Sequence, residues 1–229
     1  MKGRNTVSVA HEENSSSQNV NPVITALKTG ASGESIEIRL SDGSSFFIGI
    51  NSYTGLDLYR DKLITPAVRE SLEYASQLHA GSQKALQLAA RREHSRSEMM
   101  LKLQQRGYPE EIIEKILDKM QRLGIIDDRR FAEVWLRSRL LRKDEGPVRL
   151  RGELLRRGVD AATAGDVLNE ILTPELILQK LEKATEKVLK KCGGDQNRFI
   201  RMLKTRGFEW SMIKKISIDK FINYYNNLH

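Results

Sequence analysis

Leu103-Gln104-Gln105-Arg106-Gly107-Tyr108, Leu154-Leu155-Arg156-Arg157-Gly158-Val159 and Leu203-Lys204-Thr205-Arg206-Gly207-Phe208 are three copies of one phrase, their glycines 51 and 49 residues apart. Four residues before each glycine stands leucine, and eight before stands a large apolar residue, Met99, Leu150 or Phe199. Residues four apart share a helix face, so each phrase reads as an apolar stripe closed by a glycine stop. An apolar residue follows each glycine directly. In the first two copies a pair comes nine and ten residues later, Ile116-Leu117 and Val167-Leu168, while the third keeps Ile216 with Ser217 beside it. Each phrase therefore joins two helices. Another helical run lies upstream of each, over Ser82–Arg92, Asp128–Arg142 and Pro174–Lys191, which makes three helices per unit. Such a unit cannot fully bury its own stripe, so neighbouring units should complete a chain of small cores in an elongated, curved molecule.

Ahead of the repeats the pattern changes. Residues 23–28 (VITALK), 35–40 (SIEIRL) and 45–50 (SFFIGI) are short runs rich in β-branched and aromatic residues, separated by Glu34-Ser35 and Asp42-Gly43. Alternation in the second run and the Asp-Gly turn predict a three-stranded antiparallel meander, which must pack on something to be stable. Thr65-Pro66 then offers a helix N-cap with proline at the first helical position. Gly81-Ser82 reads as a stop and a fresh cap, so two helices are expected to meet there. Residues 1–20, polar and serine-rich without periodicity, read as a disordered tail. The expected organisation is a tail over 1–20, a β-subdomain over 21–62, a linker helix over 63–81, and helical repeats over 82–126, 127–173 and 174–229.

The 229 residues are 39% hydrophobic and 30% charged, with no apolar run long enough to span a bilayer. There is no signal-peptide core near the start and one cysteine, Cys192, so a reducing cytoplasm and no membrane partner are expected. Net charge is +8, unevenly spread: residues 1–65 carry −1, 66–125 +2, 126–173 +1 and 174–229 +6. Within the third block Arg137–Arg157 holds eight basic side chains against Asp144, Glu145 and Glu153. Acidic partners, nucleic acid or an acidic protein face, are favoured.

Catalytic signatures are scarce. No phosphate-binding glycine loop, dinucleotide fingerprint, H-E-x-x-H or paired C-x-x-C occurs, and the four histidines are scattered, so no catalytic residue, cofactor or metal is expected. Asp127-Asp128 precedes a helix, where one carboxylate caps it and the other meets its dipole. Arg106, Arg157 and Arg206 fit the last helical turn, offsetting the macrodipole. The informative cluster is Arg137, Arg139, Arg142, Lys143, Arg149, Arg151 and Arg156, crowded on two helices that Gly146-Pro147 brings together. Arginine's planar fork suits phosphate or carboxylate, so this surface is the candidate partner-binding site, with Arg91, Arg92, Arg96, Lys187, Lys190, Arg198 and Arg201 as a secondary basic face. Ordinary solvated charge is the competing reading.

Three blocks carry a resemblance. Ala89-Ala90-Arg91-Arg92-Glu93-His94-Ser95-Arg96-Ser97-Glu98-Met99 resembles the opening segment of the RecX family. Gly124-Ile125-Ile126-Asp127-Asp128-Arg129-Arg130-Phe131-Ala132 is similar to its G-Y-[IL]-D-D-x-x-F-A block, with Ile125 in place of tyrosine. Gly146-Pro147-Val148-Arg149-Leu150-Arg151-Gly152-Glu153-Leu154, followed by Arg157-Gly158-Val159, resembles its G-x-x-R-[IL]-x-x-E-L-x-x-[KR]-G-[IV] block, with Gly152 an unexpected glycine inside a helix. The resemblance covers residues 82–172, and 173–229 more loosely. It implies a non-catalytic helical-repeat regulator of the bacterial recombinase RecA, a monomer that binds the RecA–DNA filament and restrains ATP hydrolysis and strand exchange in recombination, repair and the SOS response. DNA would be met weakly or through RecA. The alternative is a sequence-independent module gripping phosphate without RecA. With only 6% aromatic residues, base stacking on single strands is disfavoured, but duplex phosphate binding needs none.

Overall fold

The computed structural model describes residues 21–31 and 33–226; the tail expected over 1–20 lies outside them. The chain is mainly helical with one three-stranded antiparallel sheet in the order β1-β2-β3. It divides into two compact units, the first reaching to Ser76 and the second starting at Gln77.

In the first unit β1 (Ile24–Thr29), β2 (Ser35–Leu40) and β3 (Ser45–Gly49) form the meander, with a bulge between Ile24 and Ala26. Ile36, Ile38 and Leu40 point one way from β2 and pack with Ile24, Phe46 and Ile48. Leu72 and Ala75 from the start of α2 (Pro66–Ala89) close this core. The third run ends one residue early, because Ile50 opens a one-turn helix, α1 (Ile50–Tyr53). At the hairpin tip Asp42 accepts from the Ser44 amide at 2.9 Å and pairs with Arg69 of α2 at 2.8 Å. The Ser44 hydroxyl and the Arg69 guanidinium together hold the Asp42 carboxyl down at about 2.

The expected helix break at Gly81-Ser82 is absent; α2 runs through it. Ser82 donates its hydroxyl back to Leu78 O at 2.7 Å instead of capping a new helix. Gly81 serves packing: a Cβ there would come within 2.7 Å of Ile116 and 3.3 Å of Tyr108. Close approach of Ile116 and Tyr108 therefore accounts for this glycine, and it carries no stop signal.

The second unit continues with α3 (Arg96–Gln104), α4 (Glu110–Arg122), α5 (Asp128–Arg142), α6 (Pro147–Arg156), α7 (Ala161–Ile171), α8 (Pro174–Cys192) and α9 (Gln196–Thr205). A last helical run passes from α10 (Trp210–Met212) through a π-helical turn (Ile213–Ser217) into α11 (Ile218–Asn226). Each repeat thus has its three helices, and the six stripe residues Met99, Leu103, Leu150, Leu154, Phe199 and Leu203 are wholly buried. Ser217, which replaces an apolar residue in the third copy, is buried with its hydroxyl 2.9 Å from that of Thr185.

The Arg-Gly phrase does more than end helices. Arg157 O at the end of α6 accepts the hydroxyl of Ser95, the N-cap of α3, at 2.5 Å. Arg206 O at the end of α9 accepts the amide of Gly146, the N-cap of α6, at 2.8 Å, and Gly207 O accepts from Val148 at 3.3 Å. The three phrase helices therefore meet end to end, α9 to α6 to α3, C-terminus against N-terminus. All three glycines have positive φ, but only two are crowded. A Cβ on Gly158 would lie 2.2 Å from Ser97, and one on Gly207 2.4 Å from Arg149, while Gly107 has nothing within 4 Å.

These contacts set two expectations. Gly107→Ala should cost about 1–2 kcal/mol for left-handed backbone alone. Gly158→Ala and Gly207→Ala should each cost roughly 1–3 kcal/mol more for overpacking the joint, read by urea unfolding. Equal losses at all three would show that the joints do not crowd their glycines. For Asp42 the folded carboxyl ionises near 2 against about 3.9 unfolded, so its contribution is intact above about pH 4 and fades as pH falls toward 2. Asp42→Asn should flatten that acid limb in thermal melts between pH 5 and 2, and an unaltered limb would refute the role of this turn.

Candidate functional site

The loop between α5 and α6, Lys143 to Gly146, sets the electrostatics of the basic cluster. Glu145 is buried and grips Arg139 in a bidentate fork, 2.7 Å to Nε and 3.0 Å to Nη2. It also lies 3.0 Å from Arg149 Nε. Asp144, equally buried, meets Lys187 at 2.5 Å and Lys180 at 3.5 Å, and Lys180 donates to Leu140 O. Burial alone would raise the Asp144 carboxyl, but the Lys187 hydrogen bond and charge, with Lys180 behind, outweigh it and hold it below the usual carboxylate range. Arg139 is thereby held against a buried acid, and Lys187 is paired with one while its own side chain stays mostly exposed.

The remaining sequence candidates separate by partner. Arg142 turns back to Ser138, 3.1 Å to the carbonyl and 2.7 Å to the hydroxyl, and Arg156 pairs with Glu153 at 2.7 Å. Arg92 pairs with Glu98 at 2.9 Å. Arg96 reaches Glu114, Gln121 and, at 2.8 Å, Asp118, all from α4. Arg137, Lys143, Arg151, Arg91, Lys190, Arg198 and Arg201 are exposed and make no side-chain hydrogen bond or ion pair among the described residues.

One arrangement was not legible from spacing. Arg149 of α6 and Arg198, Arg201 and Arg206 of the α9 segment line a single open cleft of about 550 Å³, with Met202 and Thr205 completing the wall. Arg149 is placed by its Nη1, which donates to Thr205 O at 2.9 Å across the joint. The equivalent arginines differ: Arg106 donates to Lys102 O, the C-terminal capping expected of all three, whereas Arg157 lies 5.1 Å over the Trp135 ring. Reading Arg206 only as a capping residue missed the cleft. The signal was the joint, which no single copy of the phrase displays.

The two aspartates also divide their work in an unexpected way. Asp127 caps α5, accepting from the Arg130 amide at 2.9 Å. Asp128 accepts at 2.7 Å from the Arg96 amide at the start of α3, so it serves a neighbouring helix as well as its own. Burial lifts its carboxyl above the usual range, against the Arg96 amide that favours the ionised form. His94, buried two residues ahead, has Nδ1 2.8 Å from Arg92 O and is pushed down by burial. Among the described residues no group of three or more His, Cys, Asp or Glu could hold a metal ion, and no helix is long and apolar enough to cross a membrane.

Comparison with known proteins bears on this surface. Family descriptions for the first and second three-helix domains of RecX match residues 83–120 and 127–168, the latter containing the whole basic cluster. A regulatory protein RecX of Pelodictyon phaeoclathratiforme is 34% identical over 131 residues, 57% of this chain and 82% of that one. One from Mycobacterium sp. (strain JLS) is 35% identical over 137 residues, covering 56% and 74%. A crystal structure of a regulatory protein RecX superposes with a TM-score of 0.72 over 85% of this chain and 98% of its own, at 20% identity, and so shares the fold. With a third of the aligned residues identical across more than four-fifths of a relative's length, and two of the three helical repeats matched in order, the chain belongs to the RecX family.

Proposed function

We propose that this chain is a non-enzymatic regulator that binds the RecA–DNA filament and restrains its ATP hydrolysis and strand exchange. The observation that carries the reading is the set of exposed cations left unneutralised on the second repeat, Arg137, Lys143 and Arg151, in a chain of this family. Glu145 pairs with Arg139 and Arg149, and Glu153 with Arg156, so Arg137, Lys143 and Arg151 are the charges of the cluster left available to a partner. Three helical units locked at two joints form a preorganised series, which could hold adjacent filament subunits in one relative geometry and so slow turnover at their boundaries. Attraction of this kind weakens as salt rises.

The test is a RecA ATPase assay on single-stranded DNA. Arg137→Glu with Arg142→Glu and Arg151→Glu should raise the concentration needed for half-inhibition at least tenfold while stability moves by about 0.5 kcal/mol or less, since none of the three pairs with a carboxylate. Arg139→Glu is the contrasting change: it places a second acid against buried Glu145 and should cost roughly 3–5 kcal/mol, losing inhibition through unfolding. Full inhibition by the folded triple variant would place the RecA contact elsewhere. Inhibition that vanishes when DNA is in excess would favour simple sequestration of DNA phosphate.

A further inference from the structure

We propose that the cleft between α6 and α9 is a separate binding site for the phosphodiester backbone of a nucleic acid strand. Four arginines, Arg149, Arg198, Arg201 and Arg206, line one open cleft. Of these only Arg149 has a carboxylate within reach, Glu145, and its Nε is buried and out of line for a hydrogen bond to it. Glu145 is in any case already shared with Arg139. The other three side chains meet no acid among the described residues. Like charges crowded around a concave surface focus a positive potential, and an anion in the cleft relieves their mutual repulsion.

The lining selects among anions. Arg198 and Arg201 stand three residues apart on α9, neighbours on one helix face, and present two planar forks suited to phosphate oxygens. Met202 is the one apolar side chain in the wall and no aromatic ring lines it. An acidic protein segment would find no pocket for the apolar or aromatic anchors that carry protein interfaces. A free nucleotide would find nothing on which to stack its base. What remains is sequence-independent contact to successive phosphates along an open trough. One of the four cations is preset by the joint, Arg149 through Thr205 O, and the backbone that carries Arg206 is held by its carbonyl on the Gly146 amide. A strand lying there would bridge α6 to α9 and brace the contact between the second and third repeats.

The experiment uses the full chain and a fluorescent single-stranded oligonucleotide, read by anisotropy across a salt series with no RecA present. Arg198→Gln with Arg201→Gln should weaken binding at least tenfold and flatten the slope of log affinity against log salt by about 1.4, for two lost phosphate contacts on a single strand. Arg60→Gln with Lys119→Gln, exposed cations outside the cleft and outside the basic cluster, should leave both nearly unchanged. If the glutamine pair loses its thermal transition, Arg198→Lys with Arg201→Lys keeps the charge and should still weaken binding through the lost forks. Binding and slope equal to wild type in these cleft variants would overturn the proposal. So would displacement of the oligonucleotide by poly-glutamate of equal charge, which would mark an acidic protein, or by pyrophosphate at equal phosphate concentration, which would mark a small-anion site. Because RecA is absent, failure here leaves the regulatory reading standing, and failure of the ATPase assay leaves the cleft standing.

Discussion

The end-to-end contact of helix C-termini with helix N-termini is the constraint on which the second unit depends. A helix end leaves carbonyls or amides without intrahelical partners, and a small repeat has few side chains to spare for them. Here one deficit answers the other: the last carbonyls of α9 accept from the first amides of α6, and that of α6 accepts from the N-cap serine of α3. The opposed ends of the two macrodipoles attract as well. Such contact requires the chain to turn away at once, which the left-handed glycine does, and to carry no side chain where the next helix arrives. Gly158 and Gly207 satisfy both demands, so one residue choice ends a helix and seats its neighbour.

The same joints explain how charge is sorted. In the stretch with eight basic residues, the loop that delivers α6 to its joint supplies one acid, Glu145, that pairs within the stretch, and a second, Asp144, that turns to lysines of α8. Glu145 ties α5 to α6 through Arg139 and Arg149, and Asp144 ties the second repeat to α8 through Lys180 and Lys187. Buried ion pairs of this kind gain little stability on balance, because desolvation offsets the attraction, but they fix geometry. Outside them the surface divides into exposed cations on α5 and α6 and a four-arginine cleft facing α9.

Much of the fold was legible because it rests on spacing. Leucine four residues before a glycine can be read from sequence at any distance, and alternation with Asp42-Gly43 specifies a hairpin without reference to anything else. What was not legible rests on neighbours distant in the chain. Gly81 resembles a helix stop until Ile116 and Tyr108 are seen against it, and Ser82 resembles a cap until its hydroxyl is found on Leu78. Asp128 resembles a second carboxylate for its own helix, yet its partner is the amide of Arg96. Arg206 looks equivalent to Arg106 in the linear repeat, but only Arg206 has another helix seated beside it, and that difference makes a cleft.

The series of joints is also bounded by residue choice. At the N-cap position where α3 has Ser95 and α6 has Gly146, α9 has Asp195, whose carboxylate accepts from the Arg198 amide of its own helix. Serine and glycine can approach the carbonyls that end another helix, by donating a hydroxyl or by offering a bare amide. A carboxylate cannot, because it brings negative charge to the negative end of a dipole and has no proton to give. At the opposite end, Gly107 keeps the left-handed turn without any helix seated on it, and Arg106 folds back on Lys102 O, using on its own helix the cation that the third repeat leaves to its cleft. One phrase repeated three times thus yields two joints and two different ends, through single substitutions at its N-cap and the presence or absence of a neighbour at its glycine.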